Sequence, residues 1–262
     1  MQNAMIRFFR QIRQSLLTEN RVSKYLLYAL GEILLVVIGI LIALQVNNWN
    51  EDRKQQKLEQ DYYCRLLGDV ELDQKQVADL LEASSERVRA SNRAVRLLIG
   101  KTPSKVEVAL EINNAIKAIY ADFTPNDAAF QDLKSGANLN IIQDKTVISA
   151  LNNYFKKAEG LISVIQVNGQ NAVKIFYSHS DVFANGWANA SLKSGWAGKG
   201  IDPDLRDQLS MDEKEALTDD MQYRLLNESL LILSHNQRQI ILYNTIQEEI
   251  ARLRSILKTK CP

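Results

Sequence analysis

Histidine, cysteine, proline and glycine are all scarce in this chain. Two His among 262 residues, His179 and His235, leave little material for a histidine-based metal centre. Two Cys cannot build a four-cysteine zinc site or a disulfide-rich scaffold. Four Pro and 11 Gly are too few for a β-sandwich, which needs a turn roughly every ten residues. Excess charge of one sign is missing too. Against 31 Asp+Glu stand 32 Lys+Arg, a net charge of +1, so there is no global basic field to hold nucleic acid. At 46% hydrophobic and 24% charged, the chain is neither a disordered polyampholyte nor a polytopic membrane protein.

What is present begins near the start. Tyr25 to Val46 reads YLLYALGEILLVVIGILIALQV, with Glu32 as its one charged residue. As a helix it is roughly 33 Å long, enough to cross a bilayer core. Tyr25 and Tyr28 mark one end and Trp49 the other, as an aromatic belt does. No small-x-small cleavage site follows the run, so it reads as an uncleaved anchor rather than a signal peptide. Arg7, Arg10, Arg13, Arg21 and Lys24 precede it, opposed by Glu19 alone. Glu51, Asp52, Arg53 and Lys54 follow it and cancel. The positive-inside rule then puts the N-terminus in the cytoplasm and the residues after Trp49 outside it. Residues 1–24 place Met5, Ile6, Phe8, Phe9, Ile12 and Leu16 on one helical side and Arg7, Arg10 and Arg13 on another. That pattern fits a helix in the headgroup layer, with a short basic tail as the alternative.

Glu32 lies roughly 10 Å inside the cytoplasmic end of the span. A carboxylate there is costly against lipid. Tyr28, Glu32, Val36, Gly39 and Ala43 recur at steps of three or four and share a stripe. Gly39 and Ala43 form a small-x-x-x-small pair that lets another helix approach. The stripe is a candidate interface, with itself or with another membrane protein. The plain alternative is a protonated Glu near the interface and small residues placed by chance.

Residues 47–262 read as one extracytoplasmic helical domain. A long helix is expected from about Asp52 to Ile99, with Tyr63, Leu66, Val70, Val77, Leu80, Val88, Val95 and Leu98 as its apolar seam. Asp73, Ser84 and Ser91 interrupt that seam, which suits a bundle better than a self-sufficient coiled coil. Gly100 to Pro103 ends it. Ser104, with Glu107 three residues on, opens a second helix. Thr124-Pro125 opens a short third one, stopped by Gly136. Asp144 caps a fourth that runs to about Asp181. Asn185 to Gly200 is a loop, and Ser210 with Glu213 starts a short helix. Asp219 to about Thr259 is the last long helix, with an apolar stripe over Leu226, Leu230, Leu233, Ile240, Ile246, Ile250, Leu253 and Leu257. No stretch alternates with period two long enough for a strand. The expected class is therefore all-α: a single transmembrane helix, then an antiparallel bundle of long helices.

The segment from Ser23-Lys24-Tyr25 through Leu30-Gly31-Glu32, Ile40 to Gln45 and Asn47 to Glu51 resembles a family of single-span membrane proteins of Bacteroidota, a domain of unknown function. Phe130-Gln131-Asp132-Leu133-Lys134-Ser135-Gly136, with Leu139, Ile142 and Leu151, is similar to that family's second recurring stretch. The resemblance implies an inner-membrane anchor with a periplasmic helical domain. It implies no activity.

Catalytic patterns are absent from the sequence. Ser178-His179-Ser180-Asp181 holds the residue types of a hydrolase triad, but neighbours this close on a helix end point different ways. His235 has no partner at the Glu-x-x-His spacing. Gly195 to Gly200 lacks the length and the Ser/Thr of a P-loop. Trp187 and Trp196, in the Gly-rich loop, either plug the end of the bundle or form a partner site. Cys64 is near the membrane-proximal start of the first long helix and Cys261 follows the last, which should return toward it. They are either a bridge closing a very long loop or two unrelated thiols.

We therefore expect no enzyme, cofactor, metal, nucleic acid or small-molecule substrate. The expected function is a non-enzymatic interaction or assembly protein of the bacterial cell envelope. Its partners would be the lipid bilayer and a membrane protein or a second copy. An energy-coupling, stator-like accessory subunit using Glu32 and a periplasmic ligand sensor are the alternatives.

Overall fold

The computed structural model describes residues 10, 14, 22–120, 122–136, 138–178, 200–208 and 217–261. These residues form helices and no strand. The helices are α1 (Val22–Leu98), α2 (Lys105–Ile116), α3 (Ala128–Ser135), α4 (Lys145–Ser178), α5 (Pro203–Gln208) and α6 (Asp219–Lys258), with a 3₁₀ turn at Asn138–Ile141. The chain divides into two compact units, Met1–Glu59 and Gln60–Pro262. The expected loop at Asn185 to Gly200 and short helix at Ser210 lie outside the described residues, apart from Gly200, as does most of the basic segment 1–24.

In the first unit, every residue of α1 from Leu30 to Leu58 is exposed. This stretch contains the one helical region among the described residues that is apolar and long enough to cross a membrane. Its best window has a mean hydropathy of 2.6 and none of it is buried. No break separates the apolar run from the polar helix after Trp49, because no Pro lies between Met1 and Leu98 and the Gly residues in α1 stand singly.

In the second unit, α1 stops where Gly100 and Thr102-Pro103 stop it. Its last carbonyls are not left bare. Gln222 Nε2 of α6 donates to Leu98 O at 2.6 Å and to Gly100 O at 2.8 Å. Ser104 caps α2 by accepting from Glu107 N at 3.3 Å, Thr218 caps α6 through Met221 N, and Asp144 Oδ1 accepts from Thr146 N at 2.9 Å ahead of α4. Each is a side-chain oxygen serving an orphan helical N–H.

The third helix starts later than its Pro implies. Thr124–Asp127 is a non-helical strap and α3 begins at Ala128. Two carboxylates one turn apart on α1 decide this. Asp73 Oδ1 accepts from Asn126 N (2.7 Å) and Asn126 Nδ2 (2.9 Å). Asp69 Oδ2 accepts from Ala129 N at 2.9 Å and serves the helix start from another element.

The core has two apolar parts. One joins Leu66, Val70 and Val77 of α1 to Phe123, Phe130 and Leu133, to Leu151, Tyr154 and Ile165 of α4, and to Tyr243, Ile246, Ile250 and Leu253 of α6. The other joins Ala90, Ala94 and Leu98 to Val108 and Ile112 of α2, Phe176, Leu225 and Ile232. Cross-helix links run Cys64 to Cys261, Glu71 to Arg254, Arg87 to Asn236 and Leu98 to Gln222. One number falls along α6 as the other rises along α1.

The first half of α6 departs from the stripe expected of it. Leu226 and Leu233 are half-buried and Leu230 is exposed, whereas Leu225, Ser229, Ile232, Asn236, Gln239 and Tyr243 are buried. The inward face was hidden from a hydrophobicity pattern because three of those six residues are polar.

Candidate functional site

Glu32, Gly39 and Ala43 all lie exposed on α1. A side chain added at Gly39 would meet nothing within 4 Å, so the small-residue stripe is open to a second helix. Trp187, Trp196, His179 and Asp181 lie outside the described residues.

Cys64 and Cys261 form a disulfide, with Cα atoms 5.1 Å apart and 197 residues between them. Around it, Lys260 Nζ pairs with Asp144 Oδ2 at 2.8 Å. Lys260 and the Thr146 hydroxyl hold the Asp144 carboxyl well below the usual carboxylate range. Arg65 Nη1 pairs with Asp132 Oδ2 at 2.8 Å, and the Tyr62 hydroxyl donates to the same oxygen at 3.2 Å. At this end the disulfide ties α1 to the chain just past α6, while the two ion pairs tie that same stretch to the start of α4 and α1 to α3.

Three polar groups that sequence reading missed, Arg87, Asn236 and Gln239, lie between the two apolar parts of the core, beside Ser84 and Ser91 of the α1 seam. Arg87 is 3% exposed, and Asn236, Gln239, Ser84 and Ser91 are all fully buried. The Arg87 guanidinium donates to Asn236 Oδ1 (3.0 Å), Gln239 Oε1 (2.9 Å) and Ser84 Oγ (2.8 Å). Because guanidinium only donates, both amide oxygens turn toward it and both amide nitrogens turn away. Asn236 Nδ2 then donates to Ala115 O at 2.8 Å and Gln239 Nε2 to Ile119 O at 3.0 Å. These carbonyls lie at and just beyond the C-terminal end of α2, where helical partners run out. Ala118, between them, has φ 54°, a left-handed turn that aims Ile119 O inward. A Cβ on Gly169 of α4 would come within 2.9 Å of that same oxygen, so only Gly lets α4 pack against the turn. Burial lowers the affinity of Arg87 for its proton. Burial, with Asp122 nearby, pushes the Tyr243 hydroxyl up to about 12 against the pull of Arg87.

A second polar cluster surrounds Asp73. Besides Asn126, it accepts a hydrogen bond of 2.5 Å from the Tyr154 hydroxyl. Burial pushes the Asp73 carboxyl up, and the hydrogen bonds from Tyr154 and Asn126 oppose that shift. Desolvation likewise raises Asp122, whose hydrogen bond to Gln166 opposes it. His235 is half-buried, and burial with Arg238 nearby lowers its pKa.

Arg87 and Asp73 spend their hydrogen bonds on amide, hydroxyl and backbone groups of α1, α4, α6 and the strap. Among the described residues, no group of three or more His, Cys, Asp or Glu could hold a metal ion. Two open grooves flank Thr124-Pro125, of about 530 Å³ over Phe155 and Glu159 and about 440 Å³ over Leu72 and Gln76.

The described residues thus define an all-helical protein with one long apolar helix near its N-terminus. The chain belongs to the family DUF6090, a family of unknown function, whose model matches residues 32–181. The match begins at Glu32 and takes in the strap, α3 and α4. No curated protein and no solved structure matches the chain.

Proposed function

We propose that this protein is a membrane-anchored interaction or assembly protein of the bacterial cell envelope, and not an enzyme. Its span, residues 25–46, docks on a second copy or on another membrane protein. The observation that carries this reading is the stretch Leu30 to Leu58, exposed throughout, with Glu32, Gly39 and Ala43 on one stripe. An apolar helix exposed on all sides is suited to lipid, while a carboxylate in that run is costly against lipid and favours a protein neighbour. The five cations before the span favour a cytoplasmic N-terminus in the inner membrane. The Cys64–Cys261 bridge fits a bundle in an oxidising periplasm. The falling and rising numbers of the α1–α6 links support an antiparallel arrangement. The hydrogen bonds that Arg87, Asn236, Gln239 and Asp73 make within the fold support structural work rather than turnover.

The test is the mass and composition of the particle extracted from native membranes in gentle detergent, for wild type and Glu32→Gln. We expect a particle larger than one chain in wild type and its loss or shrinkage in the variant. A monomer in both would sink the docking role of the span.

A further inference from the structure

We propose that the Arg87 layer is a register lock between α1 and α6: it fixes which residues of the last helix face which residues of the first. The apolar seams cannot do this alone. On α6, the buried positions from Leu225 to Leu257 alternate steps of four and three without a break. On α1, the buried and half-buried positions from Tyr63 to Leu98 that face the core follow the same alternation. A strict seven-residue repeat maps onto itself when one helix slides by seven residues, about 10.5 Å. Leu, Ile, Val and Ala at such positions accept a neighbour's seam nearly as well as their own.

The layer breaks that degeneracy. In the observed register Arg87 reaches both Asn236 Oδ1 and Gln239 Oε1. A slide of one heptad in one direction puts it opposite Ser229 and Ile232, and in the other opposite Tyr243 and Ile246. Either slide faces a buried guanidinium with an apolar side chain and strips two amides from it. It also parts Asn236 and Gln239 from the carbonyls of Ala115 and Ile119. Fixing register is the best-attested use of a buried polar group in a helical core. The Cys64–Cys261 bridge joins α1 to the residue three positions past the end of α6 and reports the register, because a slide of about 10 Å exceeds the roughly 7 Å Cα separation that a disulfide can span.

The experiment uses the full chain in detergent. The reduced, unfolded protein is refolded in a glutathione redox buffer, and the Cys64–Cys261 bridge is quantified by non-reducing mass mapping. The variant is Arg87→Met/Asn236→Leu/Gln239→Met, which replaces the layer by apolar residues. We expect the variant to regain its helical signal but to form the bridge at least about threefold less. As a second reading, nitroxides are placed through Gln74→Cys and Ala251→Cys, in a Cys64→Ala/Cys261→Ala background. They should give one distance with the native layer and an added, longer one without it. Native bridge yield with a single distance in the variant would overturn the proposal, because seams and loops alone would then set the register. A variant that fails to regain helix would also overturn it, since the layer would then be required for folding rather than for choosing among registers.

Discussion

Leu35 and Leu72 lie on the same helix and are both exposed, at 74% and 56%, yet their neighbourhoods differ. Around Leu35 the apolar residues point in every direction for more than twenty residues, and the helix has no inward side. Around Leu72 they are confined to one seam, and that seam carries Asp73, Ser84, Arg87 and Ser91. A helix suited to lipid needs apolar surface all round and can present it without any tertiary partner. A helix in a bundle needs one stripe, and can bury polar residues in it if each finds a hydrogen bond. The difference teaches where polarity is tolerated: outside the seam in the packed part of α1, inside the seam when partnered, and almost nowhere in the apolar run.

The sharpest way to break that comparison is to remove the partner of buried polarity. Arg87→Ala leaves Asn236 Oδ1 and Gln239 Oε1 buried without their donor and should cost about 3–5 kcal/mol. Urea unfolding of the helical signal in mild detergent measures it. A loss under ~1 kcal/mol would mean that water takes over the guanidinium's place. Next in size is a paired test of the two leucines. Leu35→Arg should disfavour membrane insertion by about 3 kcal/mol, seen as a shift of the protein out of the carbonate-resistant membrane fraction. Leu72→Arg, at a solvated position, should change neither insertion nor unfolding by more than about 0.5 kcal/mol. Equal effects from the two would erase the distinction between the halves of α1.

A smaller effect concerns pH. The Asp73 carboxyl is raised above its ordinary value by burial, so the folded state holds its proton more tightly than the unfolded chain does. Its contribution is fully present below the ordinary carboxylate pKa and is lost as pH rises through the raised folded value. Asp144, lowered by Lys260 and Thr146, acts with the opposite sign: its contribution is present above the ordinary value and is lost as pH falls through the depressed one. Between the ordinary carboxylate value and the raised one, unfolding free energy of wild type should therefore fall more with rising pH than that of Asp73→Asn. Parallel curves would show that Asp73 is not protonated in that window. Smallest is Ala118→Gly, which relieves the left-handed turn at φ 54° and should stabilise by about 0.5–1 kcal/mol. A loss of stability in the same urea assay would count against strain at that turn.

Much of the fold was legible in residue order. The long apolar helix needs no partner to declare itself, because its apolar run reads the same whatever surrounds it. Ser104, Asp144 and Gly136 act locally, and each helix end they mark is an observed one. Features that depend on a second element were harder to see. Thr124-Pro125 is a sound helix start by local rules, yet Asp69 and Asp73 hold the strap out of the helix and move the start to Ala128. Leu226, Leu230 and Leu233 make the more hydrophobic stripe of α6. The inward face instead carries Ser229, Asn236 and Gln239, the two amides because Arg87 and the end of α2 offer them hydrogen bonds. The exact heptad spacing through those polar residues was a signal available in the sequence, had polar residues been counted as part of the seam.

The sequence by itself therefore determined an all-helical chain, the apolar helix near its start and the places where the helices cap and stop. All of these follow from side-chain chemistry acting within a few residues of itself. Only the tertiary structure decided which face of α6 turns inward, where α3 begins, that Cys64 meets Cys261 and that Arg87 has partners. Each of those depends on groups tens to nearly two hundred residues apart, and desolvation makes a polar side chain favourable in a core only once its distant partner is in place.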